Sequence, residues 1–97
     1  MRVSFNSEAL AEAEEATHWY RENGGVAPSR AFTLELKRVV SLATQQPGIG
    51  SPGLHGTTRL HFKRFPYTLF FRIDGEFVRV LAIAHQSRRP GYWGERR

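Results

Sequence analysis

The stretch Tyr67-Thr68-Leu69-Phe70-Phe71-Arg72-Ile73-Asp74-Gly75-Glu76-Phe77-Val78-Arg79-Val80-Leu81-Ala82-Ile83-Ala84 decides the fold. Two runs rich in β-branched and aromatic residues flank Asp74-Gly75-Glu76. Asp-Gly between apolar runs is a strong hairpin signal, because both loop positions then require positive φ. With Asp74 and Gly75 as the loop, Phe71 is expected opposite Val78, Leu69 opposite Val80 and Tyr67 opposite Ala82. That face is wholly apolar and suits packing on helices. The other face is expected to carry Phe70, Phe77, Leu81 and Ile83, interrupted by Thr68, Arg72 and Arg79. A two-layer domain needs one apolar sheet face, so a second one must be covered. The candidate covers are the chain's own C-terminal segment, a partner chain and a second copy, and a combination is expected. The free protein is accordingly expected to be sticky in isolation.

Working outward, Thr58–Lys63 alternates Leu60 and Phe62 against Arg59, His61 and Lys63, a basic strand that is the second in chain order. Upstream, Gly48–Gly56 (GIGSPGLHG) has four glycines, but no GK[ST] follows and no helix opens after it, so it reads as a connector and not a phosphate loop. Before it lie two helical patterns. Ala9, Ala13, Ala16 and Tyr20 form one stripe of a helix expected over about 8–23, with Asn6 or Ser7 as N-cap and Asn23-Gly24-Gly25 as terminator. Phe32, Leu36, Val39, Val40 and Ala43 form a cleaner stripe in a helix expected to start at Pro28. The short link makes the two an antiparallel hairpin. Residues 2–5 (RVSF) add an N-terminal strand. The expected class is α+β: a helical hairpin on one face of a small, curved, mostly antiparallel sheet in the order β-α-α-β-β-β, with a short C-terminal tail.

The chain has 97 residues, enough for a single domain over 1–97. With no cysteine, disulfides, thiolate zinc sites and cysteine nucleophiles are excluded. Four His, at 18, 55, 61 and 85, argue against an all-imidazole metal site, and neither a metal nor a cofactor is expected. No apolar run approaches the roughly 20 residues that span a bilayer, and the N-terminal residues lack a signal-peptide core, so a cytoplasmic location and no membrane partner are expected. The net charge of +5 is unevenly distributed. Residues 1–54 carry five basic and six acidic groups, whereas residues 55–97 carry nine basic and three acidic ones. A basic second half points to a polyanion or an acidic protein partner.

The element order, the Arg64-Phe65-Pro66-Tyr67 motif opening the third strand and the closing His85-Gln86-Ser87-Arg88-Arg89-Pro90-Gly91-Tyr92-Trp93 together resemble the RelE/ParE superfamily of bacterial type II toxins over essentially the whole chain. The resemblance implies a toxin neutralised by a cognate antitoxin whose extended or helical segment wraps it, and a first strand at or near the middle of the sheet. The assembly alternatives are a homodimer and a heterotetramer with antitoxin. It also implies one of two biochemistries: ribosome-dependent mRNA cleavage, as in RelE-like members, or poisoning of DNA gyrase, as in ParE-like members.

Metal-free RNA cleavage needs a base, an acid and cations for the phosphorane. The candidates for those roles are Arg59, His61, Lys63, Arg79, His85, Arg88, Arg89 and Tyr92, with Tyr92 or Trp93 available for base stacking. Where ribonucleolytic relatives place a key arginine after the last strand, this chain has Gln86 or Ser87, which weakens the nuclease reading. Two long helices, the Trp19-Tyr20 pair and the RRPGYW tail resemble ParE more closely, so gyrase is the favoured target, with ribosome and mRNA as the alternative. A third reading is a toxin-like scaffold without toxicity. Trp19, Tyr20, Tyr92 and Trp93 are the expected target contacts. Phe70, Arg72, Phe77, Arg79, Leu81, Ile83, Arg88 and Arg89 are the expected antitoxin contacts, since arginines pair bidentately with carboxylates. Glu12, Glu14, Glu15 and Glu22 read as a solvated helix face, His18 as solvated beside them and His55 as exposed.

Overall fold

The computed structural model describes residues 1–97. Strand β1 (Arg2–Phe5) leads into α1 (Ser7–Gly24) through Asn6. The Asn6 side chain accepts the Glu8 and Ala9 amides at 2.8 and 3.4 Å, satisfying donors that the first turn leaves free. Gly25, at φ 91°, is the whole link to α2 (Val26–Gln45), which therefore begins two residues before Pro28. Pro28 falls within the first turn, where its missing N–H removes no helical bond. Alanines 9, 13 and 16 are buried, and their small size brings α1 close to the sheet, while Phe32, Val39 and Ala43 anchor α2.

The sheet runs β1-β5-β4-β3-β2, with β2 Ser51–Pro52, β3 Thr58–His61, β4 Tyr67–Asp74 and β5 Phe77–His85. β1 pairs parallel to β5, and the other pairs are antiparallel, so the sheet is mixed. The first strand lies at the edge, not near the middle as the family resemblance implied. The Gly48–Gly56 connector contains β2 and a 3₁₀ turn at Leu54–Gly56. β3 stops at His61, so Lys63 belongs to the turn after it.

The hairpin register departs from the expected one. Asp74 ends β4 opposite Phe77, leaving Gly75 and Glu76 as the loop. Only Gly75 carries positive φ, 61°, as in turns with glycine at the first central position. Phe71 therefore lies opposite Val80, and a bulge then places Phe70 opposite Ala82 and Leu69 opposite Ile83. Leu81 is the extra residue. One inserted residue inverts the facing of everything beyond it. Ile83 consequently joins the helix-side core with Leu69, Phe71, Val78 and Val80, whereas Ala82 turns to the other face. Aromatic rings of Tyr20, Phe62, Phe65 and Tyr67 surround Phe32 with centroids 5.2–5.6 Å away.

Part of the second sheet face is covered by the chain's own tail. Trp93 lies flat on Phe70 at 3.8 Å between centroids and is 3% exposed, in a cluster with Leu81, Ala82 and Ala84. No helix is long and apolar enough to cross a membrane.

Candidate functional site

β1 separates from β5 after Phe5, where the Asn6 amide donates to the Val80 carbonyl at 2.8 Å. Beyond that point β5 has an open edge, and side chains replace the missing strand. The Ile83 amide donates to Glu12 Oε1 at 3.0 Å, and an Arg96 guanidinium nitrogen donates to the Leu81 carbonyl at 3.1 Å. Glu12 and Arg96 are themselves paired at 2.8 and 3.2 Å, and the Tyr92 hydroxyl donates to Glu12 Oε2 at 2.5 Å. The Arg88 and Arg96 guanidinium carbons lie 4.0 and 5.0 Å from the Tyr92 ring centroid. Burial, then the hydrogen bond to the Glu12 carboxylate, raises the Tyr92 pKa above its ordinary value. Burial opposes the Arg96 charge, but the Glu12 carboxylate outweighs it and holds Arg96 above the ordinary arginine value.

Glu12 is therefore not on a solvated face: its side chain is 11% exposed. Together with Asn6, whose Nδ2 donates to the Arg97 main-chain oxygen at 2.9 Å, it fastens the tail to the body of the protein. The one signal for Glu12 in the sequence is its place beside the buried alanine stripe, one residue before Ala13. Arg96 carries no local signal.

Beside this clamp, between α1, the turn before β4 and the tail, lies a groove of about 420 Å³. Trp19, Tyr20, Pro66 and Tyr67 give it apolar walls, with Glu15 and Arg88 on the rim. Trp19 is 56% exposed. Burial raises the pKa of Tyr20, and burial followed by the neighbouring Tyr20, Glu12 and Glu15 raises that of Tyr67.

The expected site residues divide as follows. Of the four target contacts, only Trp19 is free. Tyr20 packs on Phe32 and Phe65, Tyr92 is bound to Glu12, and Trp93 is buried. Of the antitoxin contacts, Phe70 and Leu81 lie under the tail and Ile83 lies in the helix-side core, so these three do not present a docking face. Arg72 stands directly opposite Arg79 on the second sheet face, with Phe77 half-buried at the start of β5. Arg88 and Arg89 are exposed.

The nuclease candidates fall into separate groups, with His85 and Arg88 lining the Trp19 groove and the others elsewhere. Arg59 and His61 share one side of β3, with His61 Nδ1 bonded to Thr68 Oγ1 at 2.8 Å. The Lys63 amide donates to Glu35 of α2, so that residue leaves the strand face it was expected to share. Arg79 donates to the Arg97 main-chain oxygen at 2.9 Å. His85 bonds Ser87 at 2.8 Å and meets the Tyr67 ring edge-on. Arg88 and Tyr92 form their own pair around Glu12. Arg89 is exposed at the start of the tail.

Comparison with known proteins completes the description. Residues 3–90 match the family of the ParE toxin of the type II toxin–antitoxin system parDE. A solved chain from the chromosomal ParDE TA system of P. aeruginosa shares the fold, with TM-score 0.76 and 19% identity, covering 88% of this chain and 95% of that one. No curated protein matches the sequence.

Proposed function

Because the chain belongs to the ParE family of type II toxin–antitoxin toxins, we propose that it arrests growth by gripping DNA gyrase in the cytoplasm until a cognate antitoxin removes it. The observation that carries this reading is Trp19. A large aromatic kept 56% exposed on the wall of an apolar groove has the character of a protein-binding anchor. Binding a protein target asks for such an anchor and no catalytic set. The dispersal of the basic side chains also supports binding over RNA cleavage, since a phosphorane must be met by its acid, base and cations together.

The antitoxin site under this reading is the uncovered part of the second sheet face. Arg72 and Arg79 stand opposite one another, and like charges in that arrangement repel unless an anion lies between them. With Phe77 they offer an acidic, partly apolar segment a basic seat, and Arg88 and Arg89 lie exposed beyond the other end of β5. The tail already occupies the Phe70 and Leu81 surface, so the segment docks around the tail.

Purified protein added to a gyrase supercoiling reaction and to a translating ribosome tests the target. Inhibited supercoiling with intact mRNA is the expected result. Cleavage of mRNA in the ribosomal A site overturns the reading, and normal growth of an inducing host at confirmed expression overturns toxicity altogether.

A further inference from the structure

The Arg64-Phe65-Pro66-Tyr67 motif does more than open β4. Phe65 is set into the core, edge-on to Tyr20 and Phe32 at 5.1 and 5.3 Å. Arg64 adopts φ 65°, a left-handed conformation unfavourable for a residue with a Cβ. The turn is braced on either side, by the Phe62 amide on the Tyr67 carbonyl at 3.0 Å and by the Tyr67 amide on the Phe65 carbonyl at 2.8 Å. It thus forms a rigid ridge between two grooves. Pro66 and Tyr67 wall the Trp19 groove, while Lys63, Arg64 and Phe65 wall a second one, also about 420 Å³, against α2.

That second groove has the anatomy of an interface. Leu34, on its α2 side, is 60% exposed, more than any other large hydrophobic side chain of the protein. Around it stand cations: Arg38, Lys63 and Arg64 in the lining, and Arg30 and Lys37 one helical turn from Leu34. The one acid, Glu35, is already engaged by Arg38 at 2.7 and 2.8 Å and by the Lys63 amide. No acidic side chain pairs with Lys63 or Arg64.

We infer that the target-binding surface continues from Trp19 over the Arg64 ridge into this groove, where it receives an acidic protein surface bearing one apolar anchor. The inference rests on the reading that the toxin acts by gripping a protein. An apolar centre within a ring of cations, of which only Arg38 is paired, complements acid around an apolar side chain. Single-stranded nucleic acid needs an exposed aromatic platform, and the groove's one aromatic is packed against Tyr20 and Phe32. A backbone held left-handed at a non-glycine residue is also a feature that concentrates at functional sites.

The test compares Leu34→Ser, Lys63→Glu with Arg64→Glu, and Arg64→Gly with the parent chain. The measurements are viable counts after induction at matched expression, antitoxin affinity and melting temperature. Each variant is expected to lose toxicity at least about tenfold, as for a central interface contact. Antitoxin affinity should stay within about twofold, the range of a change outside that interface. Arg64→Gly should melt at or above the parent temperature, because glycine relieves the left-handed strain, so its loss of toxicity separates recognition from folding. Unchanged toxicity in all three variants overturns the inference while leaving a toxic parent intact. A fall in antitoxin affinity matching the fall in toxicity reassigns the groove to the antitoxin and also overturns it. So does toxicity that tracks affinity for a short DNA duplex with Leu34→Ser silent. A parent that is toxic but leaves supercoiling untouched removes gyrase as the target, and the viability comparison still decides the groove. A parent without toxicity removes both.

Discussion

Replacing Glu12 with Gln removes one charge and changes almost no volume, yet it should rank among the most damaging single substitutions in this chain. The carboxylate receives the Ile83 amide at 3.0 Å, the Tyr92 hydroxyl at 2.5 Å and Arg96 at 2.8 and 3.2 Å. Neutralising it leaves the Arg96 guanidinium, whose side chain is 10% exposed, with only the exposed Glu8 carboxylate at 3.4 Å as counter-charge. Breaking a buried ion pair from one side costs about 3–5 kcal/mol. Glutamine keeps one acceptor oxygen, and the tail can carry Arg96 toward water, so the low end, about 3 kcal/mol, applies. Against the roughly 5–15 kcal/mol that holds a typical domain, that is a large fraction. With a urea m-value of about 2 kcal/mol/M, the midpoint falls by about 1.5 M. The assay uses a Trp19→Phe background, in which Trp93 is the only tryptophan and reports tail seating by its fluorescence. Coupling Glu12→Gln to Arg96→Met should recover much of the loss, since the buried charge that lost its partner is then gone as well. A Glu12→Gln midpoint within about 0.3 M of the parent, well under the m-value expectation, with unchanged Trp93 emission refutes the clamp.

Three further outcomes follow from other contacts. The hydrogen bond from Arg38, reinforced by the Lys63 amide, holds the Glu35 carboxyl below its ordinary value of 4.5. Between 4.5 and that lowered value the unfolded chain binds more protons than the native one, so this stabilisation is present above the window and lost as pH falls through it. Denaturant titrations of Glu35→Gln should show a flatter acid limb than the parent, and parallel limbs would contradict the assignment. Asn6→Ala removes both cap bonds and the bond to the Arg97 oxygen, at a cost of about 1–2 kcal/mol. Asn6→Asp restores only the caps, so its melting temperature should fall between alanine and parent. Gly91→Ala places a Cβ at φ 76° and 2.9 Å from His55 Nε2, so it should destabilise by about 1 kcal/mol. Adding His55→Ala should relieve the clash but not the backbone strain, leaving part of the urea shift in place.

The helices were legible because their signals are local. An N-cap asparagine, a stripe of alanines and a glycine pair stand within 20 residues of one another, and the observed bounds shift by only one or two positions. The β4–β5 pairing was legible, but its register was not. Gly75 serves as the second residue of one two-residue loop and as the first of another, so the dipeptide alone does not choose between them. The Leu81 bulge leaves no mark of its own in an unbroken apolar run, and it decides which face receives Ile83. Site residues followed the same division. Trp19 was named as a target contact together with Tyr20, and the helix periodicity that puts Tyr20 in the buried stripe leaves Trp19 exposed. Glu12 and Arg96 are 84 positions apart, and nothing in either neighbourhood announces the other. The tail was correctly named among the possible covers of the second face, and it seats on Phe70 and Leu81.

The parallel pairing of β1 with β5 also bears on how the chain is made. Arg2–Phe5 emerges first during synthesis, and its partner, Phe77–Val80, comes about 75 positions later, as the Val3–Val78 pairing shows. The contacts between α1 and α2, by contrast, are local in sequence and can form before β5 exists, whereas the face that α1 packs on β5 has to wait for it. A nascent chain therefore carries a paired but half-uncovered hairpin beside an unclosed sheet. Until β5 and the Arg96 tail have been made, the β1 edge lacks its partner and Glu12 lacks its clamp.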